Sequence, residues 1–189
     1  MANVDAPMGF KPRRLINGGT VPSPNAYPLA SAYASNIFTG DAVVLTSGKL
    51  AVAAANSAGL LGVFAGCQYT ASDGSIVFSP YWPASTVTSG SADAVGYVYD
   101  NPDTVFETQT ETSVAFVLAT HNLTLADLIS THAGSTVTGQ SKQELTVGTD
   151  GDEQFLVMQL IDRVNNAVGL HAKIECRIKD HRLSSTYSA

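Results

Sequence analysis

The chain has 189 residues and a mass of 19.7 kDa, is 44% apolar, and carries a formal net charge of −6. That much apolar material supports a real core and excludes a globally disordered chain. The acidic balance argues against nucleic acid as a partner, and no apolar run approaches the ~20 residues of a membrane-spanning helix.

Charge is unevenly placed. No Lys or Arg lies between Leu50 and Ser141, a stretch with seven acids. Basic residues gather instead towards the ends: Lys11, Arg13 and Arg14, then Arg163, Lys173, Arg177, Lys179 and Arg182. Basic ends suit docking on an acidic partner, although a solvated face reads equally well. Only 14% of residues are charged, against the ~25% usual for soluble domains. Ser and Thr number 36 and take over much of the surface.

Residues 1–28 differ from the rest and are expected to form an extended arm, followed by one domain over 29–189. Five of the eight prolines lie in this segment, and Gly18-Gly19 adds a flexible point. Proline removes backbone donors and disfavours helix in the residue before it. Fully stretched, the segment would reach on the order of 90 Å. Met8, Phe10, Leu15, Ile16 and Tyr27 are spaced apolar anchors, joined by Lys11, Arg13 and Arg14. An arm of this kind grips a neighbouring subunit; the alternative is a tail that is disordered or covers its own domain.

From Ala30 the pattern is β. Residues 42–45 and 50–53 flank Ser47-Gly48 and read as a hairpin. Residues 60–70 are apolar and punctuated by Gly62 and Gly66, and Asp73-Gly74 then turns the chain into Ile76–Ser79. Pro80 and Pro83 bracket Tyr81-Trp82, a pair of rings suited to interface anchoring or, less readily, to stacking on a sugar. Residues 95–99, 105–110, 113–119 and 155–161 read as further strands. Residues 171–179 alternate cleanly, with Ala172, Ile174, Cys176 and Ile178 on one face and His171, Lys173, Glu175, Arg177 and Lys179 on a wet one. Helix is expected only at Thr124–Ile129 and for one turn at Ser141–Glu144, both from capping-box spacing. About nine short strands between Gly, Pro, Asn and Ser turns predict an all-β fold. The expected form is a single β-barrel or β-sandwich of jelly-roll or tulip-like type, with at most one or two short helices.

No chemical site emerges from motif spacing. The chain lacks a Walker loop, a dinucleotide glycine pattern, a Gly-x-Ser-x-Gly elbow and a paired-carboxylate motif. His121, His132, His171 and His181 show no paired ligand spacing, so no metal site and no cofactor are expected. Thr149–Glu153 clusters acids around Gly151 without the alternating register of a calcium loop, and reads as an exposed acidic turn. Cys67 and Cys176 lie among apolar residues and read as reduced core thiols. The N-terminus lacks the apolar core of a signal peptide, which points to synthesis in a cytosol.

Several segments, in order along the chain, resemble small structural proteins of tailed-bacteriophage virions. They are Met1–Pro12 with Gly18-Gly19, Ile37–Val43, Gly62–Tyr69, Ser79–Pro83 and Thr138–Ser141. The resemblance is to capsid decoration, or cement, proteins. It implies a non-enzymatic subunit on the capsid exterior, made in the bacterial cytoplasm. Its implied partners are the major capsid protein and copies of itself, as a trimer or alternatively a dimer, with no nucleic acid or membrane. On this reading the arm carries the grip through Met8, Phe10, Lys11, Arg13, Arg14, Leu15, Ile16 and Tyr27, with Tyr81 and Trp82 as further anchors. Removing the arm is then expected to leave a folded knob that no longer decorates heads. A tail or neck component and a carbohydrate-binding surface module are the competing readings.

Overall fold

The computed structural model describes residues 3–21, 23–148 and 153–184. Over these residues the protein is all-β, with antiparallel sheets and one short helix.

The first sheet is built from β1 (Lys11–Leu15), β10 (Thr104–Gln109), β11 (Leu125–Ile129), β12 (Glu144–Val147), β13 (Phe155–Leu160) and β14 (Lys173–Ile178), in the order β1-β10-β14-β13-β11-β12. It curls until its far edge returns to β10. Leu145 of β12 bridges Thr110, and its carbonyl accepts a hydrogen bond from the Glu111 amide at 3.0 Å. Phe106, Ala126, Leu128, Leu145, Val147, Phe155, Val157, Ile174, Cys176 and Ile178 fill the space enclosed.

The second sheet contains β2 (Asn25–Leu29), β4 (Ala42–Thr46), β5 (Lys49–Val52), β6 (Gly62–Thr70) and β9 (Ala94–Tyr99), in the order β2-β9-β6-β4-β5, with β7 (Ile76–Ser79) paired on β6. Its ends also approach one another. Leu29 of β2, Leu50 of β5 and Phe64 of β6 converge over Gly96 of β9 so closely that a Cβ there would lie 2.4 Å from Leu50 Cδ1. A ribbon of β3 (Ile37–Phe38) and β8 (Tyr81–Trp82) closes one side, and Trp82 joins Leu29, Val43, Leu61, Phe64, Cys67 and Val98 in a second core. Alternation along β4 and β6 serves both cores, since Ala42 and Val63 face the first and Val43 and Phe64 the second. The all-β class matches the sequence pattern, but the apolar residues are divided between two cores.

The described residues of the N-terminal segment, 3–21 and 23–28, are largely extended, yet they lie on their own domain. β1 pairs with β10 and β2 pairs with β9. Between the N-terminal segment and the domain, Phe10 is buried in the first core and stacks on Phe155 at 4.6 Å between ring centroids. The approach requires Gly9, whose φ is +66° and where a Cβ would come within 2.5 Å of Ser141 Cβ. A strand adds ladder hydrogen bonds and buries its anchors, which an arm in solvent does not.

Both predicted helices fail. Residues 125–129 form β11, because Ala126 and Leu128 face the first core and β12 and β13 supply hydrogen-bonding partners on either side. Such long-range pairing outweighs a weak capping signal. Thr124 Oγ1 donates back to His121 O at 2.9 Å instead of capping forward. At Ser141 the hydroxyl accepts from the Gln143 amide at 3.0 Å, which makes a turn. The one α-helix, α1 (Leu118–His121), falls in the segment expected to be a strand; there Phe116 keeps only an isolated bridge to Gly169.

Candidate functional site

The residues expected to grip a neighbour are largely engaged inside the chain. A β-bulge in β1 between Pro12 and Arg14 lets consecutive arginines reach the same side. Arg14 Nη2 lies 2.6 Å from Glu175 Oε2, and Arg13 Nε 3.2 Å from Glu175 Oε1. Arg13 Nη1 also reaches Glu107 Oε2 at 3.8 Å, which Arg163 Nη2 holds at 2.6 Å. Gln159 Nε2 donates to Glu175 Oε2 at 3.0 Å. The face of β14 expected to be wet is thus roofed at Glu175, which is buried. Charges tied to one another in this way leave little for an external acidic partner.

The other predicted anchors divide by location. Met8 and Leu15 are half-buried, Lys11 is exposed, and Ile16 is exposed while its amide donates to Asp103 O at 2.9 Å. Tyr27 donates its hydroxyl to Asp100 Oδ2 at 2.5 Å, and Asn25 Nδ2 donates to both oxygens of the same carboxylate. Burial, then the hydrogen bond and charge of Asp100, push the Tyr27 phenol up to about 12. Trp82 is wholly buried, packs edge-on to Tyr69, and points Nε1 at Tyr33 O. It is therefore a core residue and has no face to offer a partner or a sugar. Tyr81 is half-buried against Phe38, with ring centroids 5.5 Å apart.

The surface with open capacity lies on the second sheet. Phe78, Gln68, Val95 and Pro28 are opposite one another across β7, β6, β9 and β2. Ile76 and Thr70 sit beside this row, as do Tyr97 and Ala26. Phe78 is 72% exposed and Ile76 64%, and Val95 is also exposed. The Tyr97 hydroxyl donates to Gln68 Oε1 at 3.0 Å. None of these residues is charged. Among the described residues β7 pairs only with β6, so its other edge carries open ladder groups beside the apolar row. Sequence reading found the strand at 76–79 but could not see that its large side chains face outward.

A second grouping was also hidden. Asp5, Glu144 and His171 bring one potential ligand atom each within 4.8 Å of one another, and His132 Nδ1 lies 2.9 Å from Glu144 Oε2. Asp5 comes from the N-terminal segment, Glu144 from β12, His132 from the loop after β11 and His171 from the turn before β14. Burial raises the Glu144 carboxyl above its ordinary range, and the nearby imidazoles oppose that rise. In the acidic turn, Thr149–Asp152 lie outside the described residues; Glu153 Oε2 pairs with Lys179 Nζ at 2.8 Å. Cys67 and Cys176 are free, buried, and belong to different cores; burial pushes the Cys67 thiol up to about 12. No described helix is long and apolar enough to cross a membrane.

Comparison with protein-family models, with curated proteins and with solved structures finds no match to the chain.

Proposed function

We propose that the chain is a structural virion subunit that binds the outside of a tailed-phage head and cements neighbouring major capsid subunits. The resemblance of its ordered segments supports this reading. The single structural observation that carries it is the uncharged row Phe78–Gln68–Val95–Pro28, with Ile76 beside it on an open strand edge. Contiguous apolar surface of this kind marks an interaction site more often than chance exposure. Burying a Phe or Ile side chain contributes about 1.5–3 kcal/mol, and repetition over a lattice adds avidity. A binder that prefers the assembled shell to loose subunits stabilises the shell by mass action.

The grip on this proposal sits on the second sheet, because Phe10, Arg13, Arg14 and Tyr27 serve the chain's own fold. Copies of the chain at three-fold positions, or pairs at two-folds, would direct this face at the capsid. The protein would be made in the host cytoplasm, end on the capsid exterior, and perform no catalytic step. Electron microscopy of the particle, with copy number per virion, is the test. Many copies on the head surface are expected. A few copies at one vertex or along the tail would favour a tail or neck component and overturn the head assignment.

A further inference from the structure

We propose that Asp5, Glu144 and His171 bind one divalent first-row transition ion, zinc fitting best, which staples the N-terminal segment to the first sheet. Nothing in the capsid reading requires this site, and its test is independent of phage particles.

Geometry supports the assignment. Two atoms each bonded about 2.0 Å from a tetrahedral zinc lie roughly 3.3 Å apart. His171 Nδ1 and Asp5 Oδ1 are already 3.6 Å apart, and all three ligand atoms fall within 4.8 Å. Small side-chain movements would bring the three ligands onto one ion and leave the fourth tetrahedral position to water. Imidazole nitrogen with two carboxylates suits zinc and its neighbours in the series, whereas calcium and magnesium prefer oxygen alone.

An independent observation is the state of Glu144. It is 2% exposed, yet its buried Oε1 has no hydrogen-bond partner. Its other oxygen is occupied by His132 Nδ1 at 2.9 Å. His171 Nδ1 is also buried without a hydrogen-bond partner. Unpaired buried polar atoms are expensive, and a shared cation satisfies both at once. His132 then acts as a positioning residue, fixing the carboxylate that binds the ion. A surface cavity of about 610 Å³ lined by Asp5, His132 and Glu144 gives ion and water access.

The fold brings Asp5 to this place deliberately tethered on both sides. Asn3 Nδ2 donates to Ala167 O and Leu170 O at 2.8 Å each, and its Oδ1 accepts from the Ala167 amide at 2.9 Å. Gln109 accepts from the Ala6 amide at 3.2 Å and donates to Val4 O at 3.3 Å. Asp5 itself is 61% exposed at its side chain, so its replacement leaves the core untouched.

The experiment uses the full chain after chelator treatment, titrated with zinc by calorimetry and with cobalt by visible absorption. One ion per chain is expected, with a rise in melting temperature that magnesium does not reproduce. Asp5→Asn should remain folded by circular dichroism and bind zinc about tenfold or more weakly. Glu144→Gln should lose the cobalt bands. Absence of binding by the unmodified chain would overturn the site, as would zinc affinity unchanged in a folded Asp5→Asn.

Discussion

Phe10 and Asp41 show how much of the fold's stability rests on single side chains near the junction of the two sheets. Phe10 is buried on Phe155, and its amide donates to Gly40 O at 2.9 Å. Phe10→Ala should cost about 3–5 kcal/mol in chemical denaturation; a loss below about 1 kcal/mol would place its ring outside the core. Asp41 is buried, accepts from the Phe38 amide at 2.7 Å, and its carboxyl is pushed up to about 6, chiefly by burial. Because the folded value exceeds the unfolded one, this group's contribution is fully present below about pH 4 and is lost as pH rises through about 6. Asp41→Asn removes that titration. The stability of the natural chain should therefore fall relative to Asp41→Asn between those pH values, by at most about 3 kcal/mol; parallel curves would contradict the assignment. The apolar spacing of the N-terminal segment marked Phe10 as an anchor but pointed it at a neighbouring subunit, whereas it is buried on Phe155 of its own chain. Asp5, Glu144 and His171 lie far apart in the chain, so only the closure of the sheet makes them neighbours.

Among the elements, β1 decides whether the N-terminal segment is an arm or a structural part. It is the edge strand beside β10, and its Arg13 and Arg14 side chains reach across the outer face of β10 and β14, where with Arg163 they surround the buried carboxylates Glu107 and Glu175. Arg14→Ala leaves Glu175 with Arg13 and Gln159, and should cost about 1–3 kcal/mol by thermal or chemical unfolding. Deleting residues 1–28 removes β1, β2 and Phe10 together, so the product should lose cooperative unfolding; a truncated chain that melts like the full one would restore the arm. The hairpins at Ser47-Gly48 and Asp73-Gly74 were legible because their turn chemistry is local. β14 was legible as a strand, but its supposed wet face is covered at Glu175 by arginine side chains from about 160 positions earlier in sequence. β11 was misread because its identity comes from two distant partners, and the four-residue α1 carries too little sequence to announce itself.

At the scale of the molecule, two cores are built against opposite faces of the second sheet, and its outer row at β7, β6, β9 and β2 is left uncharged and open. The all-β class followed from the density of short β segments and turns. The division into two cores did not, because apolar positions on a strand do not say which neighbour they meet. The same limit hid the outward row: the sequence marked Ile76–Ser79 as a strand but did not say which face Ile76 and Phe78 take, and they are exposed. On the proposed function, this row and not the N-terminal segment would attach the protein to the head. The most direct measurement of that attachment is co-sedimentation of purified protein with phage heads that lack it, comparing the natural chain with a folded Ile76→Asp/Phe78→Asp variant. Saturable binding by the natural chain and its loss in the variant are predicted. Equal occupancy of the heads by both proteins would contradict the account.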